Sequence, residues 1–157
     1  CSVRRQRQMC IRDRSNILGV AERNFLKKED LINFYQNTIT EFGLESIEDS
    51  MGYVLSGGQR RKVEIARCLA SKPKIILLDE PFAGIDPLAI EDIKNVLKSL
   101  SNKGICILIT DHNLRETMDI CNYSIIIKDG SILDKGEKDY LINSSLIKEE
   151  YFGTVFD

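Results

Sequence analysis

The sequence predicts an α/β fold, a parallel sheet with flanking helices, and three observations lead there. Two short apolar runs, Ile75 to Leu78 and Ile105 to Thr110, read as strands buried on both faces. Around them, apolar residues recur at the three- and four-residue spacing of amphipathic helices. The resulting order of strand, helix, strand, helix is that of a parallel sheet, because parallel neighbours need a crossover between them.

The elements follow in order. Leu31, Tyr35, Ile39 and Phe42 fall on one face of a helix from Lys28 to Phe42. Ser56, with Gln59 three residues on, has the form of a capping box and starts a second helix whose inner residues are Val63, Ala66, Leu69 and Ala70, ending near Ser71 before Pro73. The first strand ends in Asp79-Glu80-Pro81. Asp86-Pro87 supplies an N-cap and first helical residue, and Ile90, Ile93, Leu97 and Leu100 form the buried stripe of a helix closing near Gly104. After the second strand, Asn113 with Glu116 marks another helix start. Ser124 to Lys128, Asp129-Gly130 and Ser131 to Asp134 then read as a hairpin with a two-residue turn.

With 157 residues, 43% of them hydrophobic, the chain suits one domain or a large piece of one. A net charge of -2 creates no field favouring nucleic acid or an anionic membrane. The five cysteines form no CxxC pair, and the single His112 completes no Cys/His zinc set, so reduced thiols are expected. No apolar run approaches the roughly 20 residues needed to cross a bilayer. Residues 1–14 hold five of the ten arginines and none of the twelve lysines. That break in composition suggests a non-native leader joined to a truncated reading frame, a native basic arm being the alternative.

Three clusters carry chemistry. Ser56-Gly57-Gly58-Gln59 opens a helix, where unpaired N–H groups and the macrodipole favour an anion and the two glycines let a phosphate come close; an ordinary capped helix after a glycine turn also fits these residues. Asp79 and Glu80 stand side by side at the C-terminal end of a strand, where ligands bind in open α/β sheets, although two acids can also merely end a strand. His112 follows the second strand and so emerges at the same edge; as a lone histidine it could equally be a surface residue at a helix start. Asp86 is first a helix N-cap.

Leu55-Ser56-Gly57-Gly58-Gln59, continuing through Arg60-Arg61-Lys62-Val63-Glu64-Ile65-Ala66-Arg67, resembles the signature motif and helix of the ABC ATPase family. The aliphatic run ending in Asp79-Glu80 resembles its Walker B motif, Ala83-Gly84-Ile85-Asp86 sits where its D-loop does, and His112 matches its switch histidine. Gly84 departs from the family pattern, since many members carry another small or aliphatic residue there. The resemblance implies ATP and Mg²⁺ as cofactors. It also implies roles: Asp79 holds Mg²⁺, Glu80 polarises the attacking water and His112 bonds the γ-phosphate. Ser56, Gly57, Gly58 and Gln59 close over ATP held by a second copy of the subunit, and Asp86 makes a contact across the homodimer.

The same resemblance implies a partial ABC ATPase domain, with part of the helical subdomain at about residues 15–72 and part of the catalytic core at about 73–157. Transmembrane permease subunits would be the other partners, with no nucleic acid, and the protein would be cytoplasmic, held on the inner-membrane face through those partners. No GxxxxGK[ST] occurs in the sequence, and the aromatic base-stacking loop and glutamine loop have no counterpart. A longer parent gene is therefore expected, and this chain alone is expected neither to bind nor to hydrolyse ATP. Within the family, the runs Leu78 to Pro87, Ile109 to Thr117 and Tyr151 to Phe156 are similar to those of the ATPases that power lipopolysaccharide export. The competing readings are the ATPase of a branched-chain amino-acid importer and a non-transport ABC ATPase.

Overall fold

The computed structural model describes residues 12–149; most of the expected leader, and the run Tyr151 to Phe156, lie outside the described residues. The chain divides into two compact units, Cys1–Thr110 and Asp111–Asp157.

In the first unit, helices α1 (Asp13–Ala21), α2 (Lys28–Phe42) and α3 (Gly57–Leu69) precede strand β1 (Ile75–Asp79), helix α4 (Pro87–Asn102) and strand β2 (Cys106–Thr110). Helix α2 has the bounds its periodicity predicts, and it buries Tyr35, Thr38, Ile39 and Phe42. Helix α1 escaped pattern reading because its buried side chains, Ile17 and Ala21, are a single four-residue repeat. Helix α3 is the hub, packing against α1, α2 and α4. Helix α4 buries the expected stripe of Ile90, Ile93, Leu97 and Leu100, joined by Val96.

Strands β1 and β2 pair in parallel, Ile75 opposite Cys106 through Asp79 opposite Thr110. The crossover between them is α4, the strand–helix–strand order that the sequence predicts. Burial on both faces does not hold, however. Ile76 is buried while Ile75, Leu77 and Leu108 are 59%, 71% and 58% exposed. Side chains alternate across a strand. Only the face carrying Ile76 is packed, and Asp79 and Thr110 end the row that stays open.

A polar clamp joins two helices of this unit. Glu41 near the end of α2 accepts hydrogen bonds from Ser99 Oγ of α4 and from Lys103 Nζ, each at 2.6 Å. Partial burial pushes its carboxyl upward, but the hydrogen bonds and the Lys103 charge outweigh that and hold it below its ordinary value. Tyr35 donates to Glu48 Oε2 at 3.0 Å, and the Arg14 guanidinium lies over its ring. Burial, reinforced by Glu48, pushes the Tyr35 phenol well above its usual range.

In the second unit, α5 (Leu114–Met118) precedes the antiparallel pair β3 (Ser124–Lys128) and β4 (Ser131–Gly136), followed by α6 (Lys138–Asn143) and α7 (Ser145–Ile147). The predicted hairpin is present, and its turn residues Asp129 and Gly130 have φ of 51° and 75°. Positive φ at both central positions is the tight-turn geometry that matches strand twist, and Asp-Gly tolerates it. A small core of Met118, Ile126, Leu141 and Ile147 closes this unit, with Leu114 and Leu133 against it.

Because folding lowers the Glu41 carboxyl below its ordinary 4.5, the clamp stabilises fully above about that pH and its contribution is lost as pH falls through the depressed value. Glu41→Gln should therefore flatten the acid limb of a pH–stability curve. At neutral pH it should cost about 1 kcal/mol, the upper range for a partly exposed pair. Urea unfolding between pH 3 and 7 checks both effects.

Candidate nucleotide site

The N-terminus of α3 is built by its own side chains. Ser56 Oγ accepts from the Gln59 N–H at 3.2 Å while Gln59 Oε1 accepts from the Ser56 N–H at 3.0 Å, so the capping box read from the sequence is complete. Ser56 uses only its oxygen in this box, which leaves the hydroxyl proton able to donate outward. Ser56 and Gly57 are exposed, and Gln59 is half-buried.

Gly58 is buried, and the structure gives a reason for it that the sequence did not. A Cβ added there would stand 2.4 Å from Ala89 Cβ, and one at Gly57 would lie 3.4 Å from the Gly84 carbonyl oxygen. The start of α3 therefore lies directly on the segment Gly84–Ala89. That segment is held by Asp86, whose Oδ1 accepts from the Ala89 N–H at 3.0 Å, with Pro87 as the first helical residue.

Asp79 and Glu80 leave the end of β1 together. Asp79 Oδ1 accepts from Thr110 Oγ1 at 2.6 Å across the strand pair, which turns the carboxylate along the sheet edge. Glu80 adopts φ of 45°, a left-handed conformation that costs a side-chain-bearing residue about 1–2 kcal/mol. Three hydrogen bonds impose it. Its N–H donates to the Thr110 carbonyl at 2.7 Å, and its carbonyl accepts from the Ala83 N–H at 3.3 Å and from Arg61 Nη2 at 3.1 Å. Arg61 is in turn fixed by Glu64 at 2.9 Å, one turn along α3. Arg61 was missed as a site residue, for in sequence it is one of three adjacent cations on a helix, and only the folded contact distinguishes it.

The first unit thus brings Ser56, Gly57, Gly58, Gln59, Asp86, Asp79 and Glu80 into one body, α3 touching both the Gly84–Ala89 segment and the backbone of Glu80. His112 belongs to the second unit, two residues beyond Thr110 in the chain. Its side chain is exposed and its Nδ1 lies 3.9 Å from Oδ1 of Asp111, a buried carboxylate that also accepts from the Asn113 N–H at 2.8 Å.

Among the described residues, no three His, Cys, Asp or Glu side chains group to hold a metal. A single exposed carboxylate suits Mg²⁺ nonetheless, since this ion keeps several waters and binds through one or two carboxylates plus substrate phosphates. Asp79, oriented by Thr110, fits that requirement.

Comparison with known proteins places the chain in a family. The ABC transporter family profile matches residues 2–83, just over half of the sequence. The chain belongs to the ABC transporter family. Among curated relatives in that family, the lipopolysaccharide export system ATP-binding protein LptB of Haemophilus influenzae is 44% identical over 142 residues, 90% of this chain. The chain spans only 59% of that relative's length. Among solved structures, an ATP-binding cassette of an ABC transporter in its ADP conformation superposes with a TM-score of 0.76 at 26% identity, over 94% of this chain and 65% of the other. A dimeric ATP-binding cassette in a post-hydrolysis state bound to ADP and Pi matches with a TM-score of 0.68 at 25% identity, over 83% of this chain and 58% of the other.

The structure gives Asp86 a local task, the cap of α4. Asp86→Ala should cost about 1 kcal/mol through the lost cap, whereas Asp86→Asn, an equally good cap, should cost only a few tenths. Chemical denaturation of both variants measures the difference.

Proposed function

We propose that this chain is part of the ATP-hydrolysing subunit of an ABC transporter that exports lipopolysaccharide. The observation that carries the reading is the placement of a capped, glycine-opened helix and an acid pair on one body, tied through Arg61 to the backbone of Glu80. In this reading the N-terminus of α3 presents Ser56, Gly57, Gly58 and Gln59 to ATP bound by a second copy of the subunit. The free hydroxyl proton of Ser56 and the N–H groups of the first turn meet phosphate oxygens. Asp79 holds Mg²⁺, which neutralises charge on the phosphates when bound.

Glu80 accepts a hydrogen bond from the attacking water and orients it, and its constrained backbone keeps the carboxylate from wandering. His112 bonds the γ-phosphate, and Asp86 adds a contact across the homodimer to its work as a cap. In this reading about residues 15–72 are part of the helical subdomain and about 73–157 part of the catalytic core.

Lipopolysaccharide as the cargo rests on the name of the curated relative and on the similar runs Leu78 to Pro87 and Ile109 to Thr117. The partners in this reading are a second copy and transmembrane permease subunits, with no nucleic acid. The described residues include no helix long and apolar enough to cross a membrane. Attachment to the cytoplasmic face of the inner membrane then comes through the permease subunits.

In the full-length subunit, Glu80→Gln should leave ATP binding intact while lowering turnover by about 10²-fold or more, the worth of a positioned base. Equilibrium binding of a fluorescent ATP analogue, beside phosphate release, separates the two quantities. Unchanged turnover would remove Glu80 from this role. Ser56→Arg should abolish ATP-dependent dimer closure while each monomer still binds nucleotide, and normal crosslinking of that variant would count against the placement of the signature.

A further inference from the structure

Gly58 carries a constraint independent of any nucleotide. The obstruction to a side chain there is one methyl group. A Cβ at Gly58 meets Ala89 Cβ at 2.4 Å, but Ile85 Cγ2 at 3.6 Å and Ala89 Cα at 3.7 Å, which are ordinary contact distances. Ala89 cannot easily yield, because it is the third residue of α4, its N–H is bound by the Asp86 cap, and Ile90 beside it is buried in the core. On the other side, α3 is anchored by its own capping box and by the bond from Arg61 to Glu80.

We propose that Ala89 is a positioning residue for the ATP-closing helix: its small side chain lets the first turn of α3 rest directly on the first turn of α4. Ser56–Gln59 and Gly84–Asp86 then form a single rigid edge. This rests on the proposed role of that edge in closing over a partner's ATP. It adds that a residue with no assigned contact to nucleotide sets the angle at which the edge is presented. Bulk at position 58 or at position 89 has to part the two helices, and protein interiors resist such overpacking. Removing the methyl at 89 makes room for one at 58.

The experiment is dimerisation of the full-length subunit induced by a non-hydrolysable ATP analogue, followed by size-exclusion chromatography. Binding of a fluorescent ATP analogue to the monomer and thermal unfolding are recorded for each variant. Gly58→Ala and Ala89→Val should each weaken dimerisation about ten-fold or more, because overpacking shifts the backbone at the contact and with it the angle of the edge. The double variant Gly58→Ala, Ala89→Gly should recover to within about three-fold of the unsubstituted subunit, the signature of two coupled neighbours. If Gly58→Ala alone does not fold, recovery of cooperative unfolding and closure in the double variant carries the same meaning.

A double variant no better than Gly58→Ala, or normal dimerisation of Ala89→Val, overturns the proposal. Ser56→Arg in the same assay separates the two levels. If it blocks closure while the double variant shows no recovery, only the role of Ala89 falls. If it dimerises normally, the placement of the signature falls, and the role of Ala89 with it.

Discussion

Two helix N-termini meet with almost nothing between them, and the candidate site depends on that contact. The first turn of α3 carries no side chain at Gly57 or Gly58, and facing it are the methyl of Ala89 and, at ordinary contact distance, the side chain of Ile85. Such closeness lets the polar end of one helix share an edge with the loop capped by Asp86. A Cβ at Gly58 would come to 2.4 Å from Ala89, so the contact tolerates no additional atom without movement. In a close-packed interior that movement is transmitted rather than absorbed.

From this contact the rest of the geometry follows along α3. One turn beyond the glycines, Arg61 reaches the Glu80 carbonyl and is itself held by Glu64. The left-handed backbone of Glu80 is maintained by that bond and by the pairing of its N–H with Thr110. Strain of this kind persists only where neighbours over-determine it, and it gathers where a group has to be aimed. Asp79 is oriented in the same way, by a hydroxyl on the adjacent strand. One helix thus links the exposed turn of Ser56 and Gly57 with the backbone that carries Glu80.

Much of this was legible because local chemistry announces itself locally. Ser56 and Gln59, Asp86 and Pro87, and Asn113 and Glu116 mark helix starts whose caps all form. The Asp129-Gly130 turn and the stripe Ile90, Ile93, Leu97, Leu100 are likewise periodic or positional signals. The strands were less faithful to their pattern. An unbroken apolar run says that both faces can be buried, not that both are, and Ile75, Leu77 and Leu108 remain open. Short α1 left too few buried positions to show a period, and Arg61 looked like any solvated cation until folding brought it to the backbone of Glu80.

Residue order alone was enough for helices α2 to α5, the strands, their caps, the parallel pairing of β1 and β2 and the resemblance to ABC ATPases, since each rests on neighbours within a few positions or on a contiguous motif. Folding in three dimensions was needed for what lies across the chain: Gly58 against Ala89, Arg61 on Glu80, Thr110 on Asp79, and the face of the sheet left uncovered. These pairs are separated by 19 to 31 positions. No spacing rule encodes such contacts, because they arise where packed elements happen to converge, and the demands of that convergence on volume and hydrogen bonding appear only once the backbone is in place.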